Sequence, residues 1–228
     1  MVVDVVIPAL NEEPSIALAL GALRDDRIRH RVVVDNGSTD GTAAVAAAAG
    51  AVVISEPRRG YGQACLTGLR WLASDPPDVV LFLDGDYSDV PEDATVLLDA
   101  IAAGAELVIG SRTRGGAQPG ALLPQARFGN WLATTLIRLL YGASFTDLGP
   151  FRAITWDGLQ RVNMQDRDFG WTVEMQVRAA RQGLRCDEVS VRYRPRIGVS
   201  KVTGTVVGSV RAGHKILWVI ARDRLVSP

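Results

Sequence analysis

Two aspartates one residue apart, Asp84 and Asp86, end the run Leu81-Phe-Leu-Asp-Gly-Asp-Tyr-Ser-Asp89, where an apolar stretch stops at carboxylates. Carboxylates spaced in this way around Gly85 are hard oxygen ligands suited to Mg²⁺ or Mn²⁺ bridging phosphates. An Asp-Gly step also makes ordinary turns, so the pair alone leaves both readings open. Its position favours chemistry. Residues 79–83 read as a strand buried on both faces, as in helix-covered parallel sheets. Such sheets bind their ligands beyond the carboxyl ends of the strands.

Two more strand ends carry polar residues. Ile7-Pro-Ala-Leu-Asn-Glu-Glu13 follows the first strand, and Val34-Asp-Asn-Gly-Ser-Thr-Asp-Gly-Thr42 follows the second. Asp35 at a strand end can accept hydrogen bonds from a base N–H or a ribose hydroxyl, and Ser38 and Thr39 can cap the next helix. The bland alternative is that Asn-Gly and Asp-Gly simply form turns.

The elements that must position these residues alternate along the first half. Strands are expected near 2–7, 31–35, 51–54, 78–83 and 106–109, with helices near 12–23, 40–49, 61–74 and 91–103. This order predicts right-handed βαβ crossovers and an α/β fold with a mainly parallel sheet flanked by helices. Beyond Gly110 the pattern changes to a mixed α/β region: a loop over 111–124, a helix over 125–141 stopped by Gly142, and a strand from Phe151 to Thr155. A helix from Trp171 to Gln182, a strand from Cys186 to Tyr193, a basic loop over 194–203 and a helix from about 204 complete the chain. The expectation is one domain over 1–228, with a ligand-binding half at 1–110, an acceptor-side half at 111–203 and a C-terminal helix at 204–228.

Composition narrows the class. The 228 residues are 47% hydrophobic with a formal net charge of zero, so a core is assured and no global field draws nucleic acid. Cys65 and Cys186 lack metal-ligand spacing and read as reduced thiols, while His30 and His214 have no ligand-like neighbours. A strand beginning at Val2 leaves no room for a signal peptide, and no apolar run approaches a membrane span. A cytoplasmic protein is expected. The mixed apolar and basic stretch Thr205–Arg222 raises peripheral contact with the inner face of a membrane as one option, and packing on its own domain as the other.

Pro8-Ala-Leu-Asn-Glu12, Asp35-Asn-Gly-Ser-Thr-Asp-Gly41, Gly60-Tyr-Gly-Gln-Ala64, Asp84-Gly-Asp86 and Gly110-Ser-Arg112 together resemble the family 2 glycosyltransferases, inverting enzymes of the GT-A fold. The later segments Asp147-Leu-Gly-Pro-Phe-Arg152 and Arg196-Ile-Gly-Val-Ser-Lys201 resemble the subgroup of dolichyl- and polyprenyl-phosphate sugar transferases. The resemblance implies a nucleotide-sugar pocket formed by Pro8, Ala9, Leu10, Glu12, Asp35, Gly62, Gln63, Asp84 and Gly85. It implies Mg²⁺ or Mn²⁺ on Asp86 with Asp84 nearby. Ser88 would be a weaker ligand where the subgroup often has glutamine, and Pro150 stands where a glycine is common.

The implied reaction moves a hexose from a UDP- or GDP-sugar to a polyprenyl phosphate. A phosphate monoester is already mostly ionised at neutral pH, so it needs cations rather than a base. Arg112, Arg127, Arg152, Arg194, Arg196 and Lys201 are the candidate acceptor-phosphate ligands, each with a solvated surface charge as its alternative. The candidate catalytic set is Asp86, Arg112, Asp147, Arg152 and Glu174. Asp147 or Glu174 would serve as base for a hydroxyl acceptor, or else anchor loops and pair with arginines. Trp171, Phe169 and Phe151 are expected in the core.

Three alternatives stay open. The acceptor could be a soluble hydroxyl or phosphorylated metabolite, or the chain could be a sugar nucleotidyltransferase or a non-catalytic nucleotide-sugar-binding module, and a homodimer is compatible with each. The acidic Asn11-Glu-Glu13 after the first strand argues against a nucleotidyltransferase, which uses a basic glycine-rich loop there.

Overall fold

The structure is a computed structural model that describes residues 1–198 and 206–225, the side chains of 206–212 and 225 excepted. Alternation with period two sorts the strand side chains between two cores: Val3, Val5 and Ile7 face one layer, and Val6 faces the other. The chain runs β1 (Val3–Ala9), α1 (Ile16–Ala22), β2 (Ile28–Asp35), α2 (Thr42–Ala48), β3 (Val52–Ser55), α3 (Tyr61–Leu72) and β4 (Val79–Phe82). It continues through α4 (Ala94–Ala102), β5 (Leu107–Ser111), α5 (Pro124–Tyr141), β6 (Arg152–Thr155), α6 (Trp156–Val162), α7 (Trp171–Arg181), β7 (Cys186–Ser190) and α8 (Val206–Leu225).

The strands form one sheet in the order β3-β2-β1-β4-β6-β5-β7. β1 to β4 are mutually parallel where they pair, and β7 is parallel to β5. β6 is antiparallel to both β4 and β5 and wedges between them. The sheet is therefore mainly parallel, as expected, with one reversed strand. Its core residues on one face pack with α1, α2 and α4, and those on the other with α3, α5, α6, α7 and α8.

Every expected element of the first half is present, with ends shifted by a few residues. Gly142 ends α5 in the left-handed conformation (φ 70°), its N–H bonded to the Arg138 carbonyl. The short helix α6 was not anticipated; Thr155 caps it by accepting from the Gly158 N–H at 3.2 Å. The last strand stops at Ser190, and Tyr193 instead bridges to Asp89 and Ala117. Among the described residues, no helix is long and apolar enough to cross a membrane, and both cysteines are free thiols.

The register positions the acidic pair. β1 and β4 pair from Val3↔Val79 to Val6↔Phe82, so Asp84 leaves the sheet alongside Pro8 at the carboxyl edge. Ala9 pairs with Asp35 at the same edge.

Candidate active site

A cleft of about 420 Å³ opens at this edge, lined by Pro8, Ala9, Leu10, Glu12, Asp84, Gly85, Asp86 and Arg196 among the expected residues. Asn36, Arg59, Gly60, Tyr61, Ala64, Asp168 and Phe169 line it as well. The loop after β1 is held in shape by the loop after β2. The Asn11 N–H donates to Ser38 Oγ at 2.9 Å, the Thr39 N–H to Asn11 Oδ1 at 2.8 Å, and the Glu12 N–H to Thr42 Oγ1 at 2.8 Å. Asn11 adopts φ 52°, a left-handed conformation that its side-chain bonding helps to hold. Ser38 and Thr39 therefore tie two loops together instead of capping α2, whose N-cap is Gly41. Asp35 accepts from the Ser38 N–H at 3.0 Å and stands outside the cleft-lining set.

Gly62 and Gln63 also lie outside that set. A Cβ on Gly62 would sit 2.1 Å from the Asp166 carbonyl oxygen, so this glycine allows the segment before α7 to press against α3. The Gln63 N–H donates to the Arg167 carbonyl at 2.9 Å, and its amide to Glu56 Oε2 at 2.8 Å. Glu56 collects Arg58, Thr67 and Gln63, and the Arg58 and Thr67 hydrogen bonds hold it well below the usual carboxylate range. This cluster around the buried Glu56 fixes the turn that carries Gly60 and Tyr61 into the cleft. Gly62 and Gln63 thus stand behind the cleft, and their neighbours Gly60, Tyr61 and Ala64 line it.

Three carboxylates gather beyond β4. The Tyr61 hydroxyl donates to Asp84 Oδ1 at 2.9 Å. Burial first, then the adjacent Asp86 charge, pushes Asp84 up to about 7. The Ser88 N–H and hydroxyl donate to Asp86 Oδ1 at 2.9 and 2.6 Å, so Ser88 orients Asp86. Asp89 is fully buried with neither carboxylate oxygen hydrogen-bonded; burial, then Asp84 and Asp86, raises it well above the ordinary range. Among the described residues, no three His, Cys, Asp or Glu side chains converge as a ready-made metal cage. An oxygen-only pair beside an open cleft fits Mg²⁺ or Mn²⁺ whose coordination is completed by phosphate and water.

Arginines face these acids from the second half. Arg196 lies 3.2 Å from Asp86 Oδ2 and 3.0 Å from Glu12 Oε1, and the Ile197 N–H donates to the Asp86 carbonyl. Arg194 stacks 3.8 Å over the Tyr87 ring while its N–H donates to the Ser88 carbonyl. Arg112 lies 5.0 Å over the Tyr193 ring and forks onto Asp147, Nε at 2.8 Å and Nη2 at 2.7 Å. Burial pulls the Arg112 charge down, and the Asp147 carboxylate more than offsets it, leaving the guanidinium firmly ionised.

The remaining expected residues take other places. Arg152 is fully buried in β6 and donates to the carbonyls of Leu148, Gly149 and Thr172, with burial pushing it down to about 10. With no exposed surface it braces the 148–149 turn against α7 and does not face an acceptor. Glu174 is likewise buried, held by Arg178 at 3.0 Å, Arg222 at 3.1 Å and the N–H groups of Gln165 and Asp166. Asp147 is committed to Arg112 and to the Arg112 N–H at 2.8 Å. Arg127 is exposed on α5, and Lys201 lies outside the described residues. Trp171 and Phe151 are core residues, whereas Phe169 lines the cleft. The signal for Tyr61 lay in Gly60-Tyr-Gly-Gln-Ala64; Asp168 and Phe169 lie between helices in a segment without periodicity.

Comparison with known proteins agrees with this geometry. The chain is 39% identical to an uncharacterised glycosyltransferase of Mycobacterium tuberculosis, over 92% of this chain and 94% of that protein. It is 33% identical to the undecaprenyl-phosphate mannosyltransferase of Micrococcus luteus, covering 96% and 97% of the two chains. It is 30% identical to the polyprenol monophosphomannose synthase of Mycolicibacterium smegmatis, covering 88% and 81%. These relatives bear out the likeness to polyprenyl-phosphate sugar transferases. The fold matches a crystal structure of glucosyl-3-phosphoglycerate synthase from Mycobacterium tuberculosis with a TM-score of 0.76 at 22% identity, covering 100% of this chain and 80% of that one. The model of glycosyl transferase family 2 matches residues 4–160, and this chain belongs to that family of nucleotide-sugar glycosyltransferases.

Proposed function

We propose that the chain moves a hexose, with inversion, from a UDP- or GDP-sugar to a polyprenyl phosphate. The observation that carries the acceptor assignment is a contrast in the second half. Both expected base carboxylates, Asp147 and Glu174, are locked into ion pairs, Asp147 with Arg112, while Arg194 and Arg196 lie against Tyr87 and Asp86 at the acidic strand end. A hydroxyl acceptor needs a base to raise its nucleophilicity, and a phosphate needs only cations to place it. The names of the Micrococcus luteus and Mycolicibacterium smegmatis relatives point the same way.

In this reading residues 1–110 hold the donor and 111–203 the acceptor. Pro8, Ala9, Leu10 and Tyr61 wall the nucleoside end, and Glu12 and Arg196 border the diphosphate. Asp86 and Asp84 would hold Mg²⁺ or Mn²⁺, which supplies charge neutralisation for the departing diphosphate. Mn²⁺ and UDP accompany the solved glucosyl-3-phosphoglycerate synthase, which supports that choice of ion. Ser88 keeps Asp86 aimed, and the Tyr61 hydroxyl keeps Asp84 aimed. Arg194 and Arg196 orient the acceptor phosphate behind the anomeric carbon, and Arg112, held by Asp147, adds positive charge beside them.

Radiolabelled UDP- and GDP-hexoses incubated with the protein, polyprenyl phosphate and Mn²⁺ should yield an organic-extractable product that EDTA abolishes. Absence of such a product with all common donors would overturn the assignment. Asp168 on the cleft wall favours one second reading, a soluble hydroxyl acceptor with Asp168 as base. Under that reading Asp168→Asn abolishes transfer while donor binding persists.

A further inference from the structure

Helix α5 is apolar on two sides. Ala133, Thr134 and Ile137 are buried toward the core. Phe128, Trp131 and Leu139 stand on the opposite side, 61%, 59% and 71% exposed, with Leu132 and Thr135 half-buried between them. Spacings of three, four, seven and eleven residues put all five on one outward stripe. The Phe128 and Trp131 rings pack together, 5.8 Å between centroids. The neighbouring α8, tied to the end of α5 by the Tyr141 hydroxyl on the Ile220 carbonyl, exposes Leu217 and Trp218 of its own. Large apolar side chains lined up on a surface mark an interaction site.

Charge says what covers it. Residues 107–146 contain no aspartate or glutamate, and α5 exposes Arg127 and Arg138 beside the stripe. A second copy docking through a two-fold axis would bring these arginines near their own copies with no acid on this stretch to pair them. An anionic lipid surface pairs with them directly, and aromatic side chains with flanking cations are what the membrane interface accepts. The stripe also lies next to the acceptor side of the site. The Asn130 amide bonds the Leu148 N–H and the Thr146 carbonyl, one residue to either side of the Asp147 that holds Arg112.

We propose that the outward face of α5 docks the enzyme on an anionic membrane and so presents the arginine side of the cleft to a lipid-borne acceptor. The inference rests on the polyprenyl-phosphate reading for its purpose, but the docking is measurable without any reaction. The test compares the full chain with a Phe128→Ser/Trp131→Ser variant in co-sedimentation with phosphatidylcholine vesicles, with and without phosphatidylglycerol. The unmodified chain should pellet with the phosphatidylglycerol vesicles, and the variant's partition should fall by roughly tenfold with an unchanged melting temperature. Transfer to a long-chain acceptor in vesicles should fall with it, while transfer to a short, water-soluble polyprenyl phosphate stays the same. Equal partition of both proteins, or none by either, would overturn the docking surface. So would light scattering that shows a dimer split by the same substitutions. Failure of the unmodified chain on the short acceptor, with vesicle binding intact, would sink the acceptor reading alone.

Discussion

Arg196, on the loop that follows β7, lies 3.2 Å from Asp86 at the end of β4, with the other arm of its guanidinium 3.0 Å from Glu12. Without a metal, the acid that would bind one is paired with a cation from the acceptor half. Metal on Asp86 must share or displace that guanidinium, which frees it for a phosphate.

Arg196→Gln should therefore tighten Mn²⁺ binding in the absence of donor. The pair is about one-quarter exposed on the arginine side. An ion pair of that kind is worth up to about 1 kcal/mol, so a gain of up to roughly fivefold is expected by calorimetry. The same variant should raise KM for the acceptor. Unchanged or weaker Mn²⁺ binding would contradict the sharing of Asp86.

Asp84 gives the site a pH dependence whose sign is fixed. Its folded value is raised by burial and by Asp86 from 3.8 to about 7. The folded chain then keeps a proton that the unfolded chain has released, so this contribution to stability is full below about pH 4 and is lost as pH rises through 7. Metal prefers the ionised form, so Mn²⁺ affinity should climb over the upper part of that window. Asp84→Asn should flatten the stability profile of the metal-free protein, measured by thermal melts across pH. A Mn²⁺ affinity that is flat through neutral pH would count against this assignment.

Asp147 separates a structural role from a chemical one. Its carboxylate is fully buried and accepts the Arg112 fork and the Arg112 N–H. Asp147→Asn leaves a largely buried guanidinium without a counter-charge, and should cost about 3 kcal/mol in chemical denaturation. A variant of undiminished stability that cannot transfer sugar would instead mark Asp147 as the base.

Gly62 tests the packing behind the cleft. A methyl group there meets the Asp166 carbonyl at 2.1 Å and has no room unless the 166–169 segment moves. Gly62→Ala should destabilise the protein by about 2 kcal/mol and weaken donor binding through Asp168 and Phe169. Wild-type melting and donor affinity would show that the segment yields freely.

The chain states its fold openly where side-chain period and turn chemistry coincide. Val79 to Phe82 announces a doubly buried strand, and Gly142 announces a helix end, because each depends on local residues alone. β6 reads as a strand, but its antiparallel insertion depends on where Leu107–Ser111 settles across the sheet. The acid side of the cleft is equally legible: Pro8, Glu12, Asp84 and Asp86 follow strand ends, and parallel strands bring those ends together. Arg152 misleads because nothing local says whether an arginine meets solvent or four residues' worth of backbone and amide oxygens. Glu174 misleads likewise, since Arg222 reaches it from a helix forty-eight positions away. Phe169 is the converse: Phe151 and Trp171, the other aromatics expected in the core, are buried there, whereas Phe169 lines the cleft, just after the backbone that presses on Gly60 and Gly62.

The measurement closest to the central claim compares polyprenyl phosphate with the corresponding free alcohol as acceptor, under one donor and saturating Mn²⁺. With Asp147 and Glu174 paired and arginines at the acidic strand end, transfer should occur to the phosphate and not to the alcohol, and Arg194→Gln should raise the KM for phosphate. Efficient transfer to the alcohol, abolished by Asp168→Asn, would contradict the account.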